Sequence, residues 1–140
     1  MGKPVHVDER EHSERLAEAA AVLLLEMAAT DQGMGERELE AVHDAMRGAF
    51  GMDDEAVREV MQEAGELQRQ AVSLHRFTEQ IRTGLANERR VELMENLWRV
   101  AYADGHLDRY EEHFIRRLAD LLGVPHREFV RTKLRVGGSG

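Results

Sequence analysis

The chain has 140 residues, a length that fits one domain with one modest core. It has 42% hydrophobic and 33% charged residues and a formal net charge of −8, with two prolines and no cysteine. That composition fits a soluble globular fold, excludes disulfides and thiolate metal sites, and suits a reducing compartment.

The charge is uneven. Residues 1–70 carry 7 basic and 17 acidic side chains, a balance of −10, whereas residues 71–140 carry 12 and 10, a balance of +2. An acidic first half argues against nucleic acid as the partner, because phosphate contacts need a positive surface. It is compatible with cation binding, with contact to a basic partner, or simply with a solvated face.

In chain order, residues 1–8 read as a disordered arm without the apolar core of a secretory signal. The first helix is expected from Glu9 to Thr30, with Leu16, Ala19, Ala20, Leu23 and Met27 on one stripe. Its apolar run from Leu16 is broken by Glu18 and Glu26, which excludes a membrane span. A second helix covers Glu36 to Ala49, with Leu39, Val42 and Met46 inward. Asp53 or Asp54 caps a third carrying Val57, Val60, Met61 and Ala64, which Gly65 ends or bends. Ser73 caps a short fourth helix to Arg82, with Phe77 and Ile81 inward.

Asn87 caps a fifth, with Val91, Met94, Leu97, Trp98 and Ala101. Asp108 caps a sixth, with Phe114, Ile115, Leu118 and Leu122. Pro125 opens the last, whose stripe is Phe129, Val130 and Leu134. No alternating run long enough for a strand occurs. Residues 137–140, GGSG, read as a flexible tail or an expression scar without a role in the fold.

Two of these helix pairs repeat. Leu23–Met52 and Glu95–Val124 match at Ala28 with Ala101, Asp31 with Asp104, Met34 with Leu107, Glu38 with Glu111 and Ala45 with Leu118. With one residue of slip, Phe50-Gly51-Met52 matches Leu122-Gly123-Val124. The fold expected is an all-α single-domain bundle of about seven helices, built from two duplicated helix-turn-helix units whose apolar stripes pack together.

The turn within the second unit, Ala101 to Phe114, reads AYADGHLDRYEEHF. Its D-G-x-L-x-x-x-E portion matches the second half of an EF-hand loop. With Glu111 at loop position 12, positions 1 and 3 fall on Val100 and Tyr102, so a full calcium loop is excluded. Asp108 and Glu111 stand three apart, the spacing of a capping box. What remains is a carboxylate cluster of Asp104, Asp108, Glu111 and Glu112, joined by Asp31 and Glu38 if the two turns meet. It reads either as caps and solvated charge or as a site for a hard divalent cation, Ca2+ or Mg2+. Zn2+ is less favoured, because His106 and His113 read better as surface imidazoles.

The run Leu97 to Arg135, together with SLHRFTEQI from Ser73 to Ile81 and the degraded copy AATDQGMGERELEAV, resembles the TerB family of tellurite-resistance proteins, in its small stand-alone branch. The resemblance spans about Leu16 to Arg135, and the domain is placed at residues 9–136. It implies a helical bundle built by duplication, a cytoplasmic role near metal or oxidative stress, and an acidic cluster that binds divalent cations. Carried onto this sequence, that cluster is Asp31, Glu38, Asp104, Asp108 and Glu111. Gln32 after Asp31 and Gly35 in place of Asp108 depart from the pattern.

No catalytic motif accompanies it. The serines are Ser13, Ser73 and Ser139, none in a nucleophile elbow, and there is no phosphate-binding loop or H-E-x-x-H. The chain is therefore expected not to be an enzyme. The alternative to the cation-binding accessory is a protein–protein interaction module, or a self-associating one, without metal. A hydrolase using paired carboxylates is the least favoured reading.

Overall fold

The computed structural model describes residues 5–29, 34–70, 73–105 and 107–137. These form seven helices: α1 (Val5–Ala28), α2 (Glu36–Phe50), α3 (Asp54–Arg69), α4 (Leu74–Gly84), α5 (Asn87–Ala101), α6 (Arg109–Leu122) and α7 (His126–Gly137). No strand occurs among the described residues. The expected all-helical bundle is the observed one.

Local chemistry sets most boundaries. Asp53 accepts the Ala56 amide at 2.8 Å to start α3, and the Ser73 hydroxyl accepts the His75 amide at 3.2 Å to start α4. α2 and α6 both stop on a glycine in the left-handed region, Gly51 at φ 62° and Gly123 at φ 72°, a conformation that costs other residues a clash at Cβ. These glycines are the matched positions of the repeated Phe-Gly-Met and Leu-Gly-Val triplets.

The repeat extends further than two helices. α1 packs on α2 and α3, and α2 on α3; α5 packs on α6 and α7, and α6 on α7. Two three-helix units thus face each other through α1, α2 and α5, and α4 links them while packing on α1 and α6.

Several boundaries and faces differ from expectation. α1 begins at Val5, inside the span expected to be an arm. α3 runs unbroken through Gly65 to Arg69. Leu85 is buried between α4 and α5, which leaves Ala86 and not Asn87 in the capping position of α5. Gly137 belongs to α7, and a Cβ there would lie 2.7 Å from the Tyr102 ring, so it packs with the fold. The rest of the GGSG tail lies outside the described residues.

The inner face of α7 is Phe129, Thr132 and Val136, while Val130 and Leu134 are 38% and 62% exposed. The cause is Trp98, fully buried on α5. Its indole N–H donates to the Thr132 hydroxyl at 3.0 Å, which turns that face inward.

The core runs the length of the bundle. From Leu16 to Ala28, α1 is buried on nearly every side, with only Glu18 and Glu26 partly exposed. It is the central helix and not a surface helix with one stripe. Phe77, Ile81, Met46, Met94, Leu97, Ile115, Leu118 and Leu122 close around it.

Candidate functional site

The acidic corner is built by two helix starts. After α5 the chain turns at Gly105, φ 98°, whose amide donates to the Tyr102 carbonyl at 2.9 Å. Leu107 packs on the core and sets Asp108 at the head of α6. The capping box read from the sequence is present: Asp108 Oδ1 accepts the Glu111 amide at 2.8 Å, and Glu111 Oε1 accepts the Asp108 amide at 3.1 Å.

In the first repeat the start of α2 has different chemistry. Gly35 occupies the capping position of α2 without a side-chain cap. Glu38 folds back over it and is 9% exposed, and a Cβ at Gly35 would fall 2.0 Å from Glu38 Oε1. The departure of Gly35 from the aspartate of the second copy is what lets the Glu38 carboxylate lie there.

Charges from both repeats converge on Glu111. Burial holds its carboxyl above the ordinary value of 4.5; the hydrogen bond from the Asp108 amide works against that shift, and the negative charges of Asp108, Asp104 and Glu38 add to it. Four of the five predicted residues therefore share one electrostatic neighbourhood. Asp31 lies outside the described residues, as does His106. Glu112 turns away and pairs with Lys133 at 2.8 Å, and His113 is exposed.

A groove of about 490 Å³ opens beside this corner, lined by Glu26, Met27, Ala29, Asp108, Tyr110, Glu111 and Phe114. Sequence reasoning missed Glu26 and Tyr110. Glu26 registered only as an interruption of an apolar run, yet it sits at the rim, where its carboxylate accepts Gln68 Nε2 at 3.0 Å. Tyr110 is 87% exposed, an aromatic on the polar face of α6, and that mismatch was the available signal.

The donor set consists of carboxylate oxygens, which suit a hard cation. Among the described residues, no three His, Asp or Glu side chains are gathered closely enough to ligate one bare metal ion. One oxygen each of Asp108 and Glu111 is held by a backbone amide, and among the described residues no hydrogen bond engages the other. Among the described residues the corner therefore forms no closed cage for a stripped ion. Among the described residues no helix is long and apolar enough to cross a membrane.

The duplicated three-helix unit, with acidic turns at matched helix starts, defines a class of all-helical repeat bundles. The family profile described as Tellurite resistance protein TerB matches residues 17–134. The chain belongs to the TerB family. A crystal structure of a protein of unknown function from Porphyromonas gingivalis is similar in fold, with a TM-score of 0.64 and 15% identity over 87% of this chain and 95% of that one. Comparison with curated protein sequences finds no match.

Proposed function

We propose that this TerB-family protein is a non-enzymatic, cytoplasmic accessory of the response to tellurite, metal or oxidative stress, and that its acidic corner takes a hydrated Ca2+ or Mg2+. One observation carries the reading: Glu38 of one repeat and Asp104 and Asp108 of the other crowd negative charge around the half-buried Glu111 carboxyl. A divalent ion would relieve that repulsion, and Mg2+ in particular retains its waters while contacting few carboxylates. Gly105 supplies the left-handed turn before α6, Gly35 leaves room for the Glu38 carboxylate, and the capping box fixes Asp108 and Glu111 relative to one another.

The test is thermal unfolding in EDTA and then in Ca2+, Mg2+ or Zn2+. A ligand of the folded state stabilises by about 2.7 kcal/mol at a free concentration about a hundredfold above its Kd. Ca2+ or Mg2+ should raise the midpoint, Glu111→Gln should abolish that rise, and Glu112→Gln should leave it intact because Glu112 faces Lys133. An unchanged midpoint with every ion ends the cation reading.

The groove favours a second reading, an interaction module without metal. The exposed Tyr110 ring beside Met27 and Phe114, rimmed by Glu26 and Asp108, suits a protein segment with a cationic side chain. Binding of that kind would weaken with salt and ignore EDTA.

A further inference from the structure

A second groove, of about 660 Å³, lies between α1 and α3, apart from the acidic corner. Its rim carries Glu14, Glu18, Glu59 and Glu63, with Arg15 the one basic lining residue, and Met52, Ala56 and Val60 give it an apolar floor. Burial and then the charge of Glu63 hold Glu18 above its ordinary value, and Arg76 and Arg15 offset only part of this.

The duplication supplies an internal control. Aligning the Phe50-Gly51-Met52 and Leu122-Gly123-Val124 turns places Glu59 opposite Arg131 and Glu63 opposite Arg135. The matching groove between α5 and α7 is smaller, about 290 Å³, and two of its four glutamates, Glu95 and Glu128, are paired from within. There Arg135 Nη1 meets Glu95 Oε2 at 3.3 Å, and Arg131 pairs with Glu128. At those two positions the α1–α3 groove carries glutamates in place of arginines.

The complementary surface is on α7. Opposite its buried face, Arg127, Val130, Arg131 and Leu134 follow the i, i+3, i+4, i+7 spacing of one helical stripe. Val130 and Leu134 are two of the three large hydrophobic side chains exposed among the described residues. Four basic residues and one acidic residue make α7 strongly positive, and among the described residues no hydrogen bond or ion pair engages Arg127. Within one molecule this face cannot reach the α1–α3 groove, because the opposite face of α7 is docked on α5 and α6.

We propose that the protein self-associates head to tail, the outer stripe of α7 in one copy seated in the acidic α1–α3 groove of the next. Leu134 and Val130 meet the floor of Met52, Ala56 and Val60, and Arg127 meets the carboxylates of Glu59 and Glu63. The two surfaces differ, so the contact is directional and can propagate. A single helix in a groove is a small interface, which makes the association weak and salt-dependent.

Sedimentation velocity of the full chain tests this. In about 0.05 M salt the weight-average mass should rise with concentration, and in about 0.5 M salt it should fall to the monomer. Val130→Glu with Leu134→Glu spoils the stripe, and Glu59→Arg with Glu63→Arg spoils the groove. All four positions are exposed, so circular dichroism should report an intact fold. Each double variant alone should be monomeric, and an equimolar mixture of the two should form dimers and stop there. A wild type that stays monomeric, association that survives in either variant, or a mixture that fails to pair would overturn the proposal.

Discussion

The indole of Trp98, the single tryptophan of the chain, is fully buried and bonded to Thr132, whose hydroxyl in turn donates to backbone carbonyl oxygen of Glu128 or Phe129. Replacing that hydroxyl by a methyl preserves shape but strands the indole N–H in the core. Thr132→Val should therefore cost about 1–3 kcal/mol, read as a lower urea midpoint by Trp98 fluorescence. Glu111 poses the opposite case. Its folded pKa lies above the ordinary 4.5, so this carboxyl favours the fold below about pH 4.5, and the contribution is lost as pH rises through the raised value. At neutral pH its charge is a liability in the absence of a cation. Glutamine keeps an oxygen for the Asp108 amide and removes the charge. In EDTA, Glu111→Gln should raise the thermal midpoint at pH 7 and bring no gain near pH 4. A lower midpoint at pH 7 would mean that the crowding at this corner is not real.

At the level of elements, the ends of α2 and α6 show how one solution was used twice. Arg89 Nη2 donates to the Ala49 carbonyl at 2.9 Å, and Arg90 Nη1 donates to the Leu122 carbonyl at 2.8 Å. Two adjacent arginines at the head of α5 thus serve the C-termini of two different helices, where cations are favoured. The glycines beyond those ends differ in surroundings. A Cβ at Gly51 meets nothing within 4 Å, whereas one at Gly123 would lie 3.1 Å from Arg90 Nη1. Gly51→Ala should cost about 1–2 kcal/mol for the left-handed backbone alone. Gly123→Ala should cost more, because it also displaces the arginine that caps α6, and comparing the two thermal midpoints checks the order. Helix starts were legible in the sequence because caps are local chemistry: Ser73 and Asp108 were read as caps, and Asp53 was one of two candidates for the third helix. The rotation of α7 was not, since Phe129-Val130 and Leu134 make as good a stripe on paper as Phe129, Thr132 and Val136. Only the partner indole on α5 distinguishes them.

Across the whole molecule, the repeat was the most informative feature. It raised the prospect that Glu38 would meet the second turn if the two turns paired, and the charge of Glu38 does act on Glu111. It could not foretell Glu26 or Tyr110, whose place depends on how the end of α1 meets the start of α6. It also left α1 looking like an ordinary amphipathic helix, although α2, α3, α4 and α5 surround it. That central position has a dynamic consequence. Amides protected by packing on every side exchange only when the whole bundle opens, while helices covered on one face also open locally. Amides from Ala19 to Ala28, and those of Leu93 to Ala101 on α5, should therefore exchange with free energies equal to that of global unfolding by denaturant. The last turn of α3 and the outer turns of α7, where Arg131 and Leu134 face solvent, should exchange with lower free energies. Native-state hydrogen exchange across a denaturant series makes the comparison directly. Protection in α1 well below the global value would mean that the two units hold together through α5 alone, and that the first repeat opens as a separate piece.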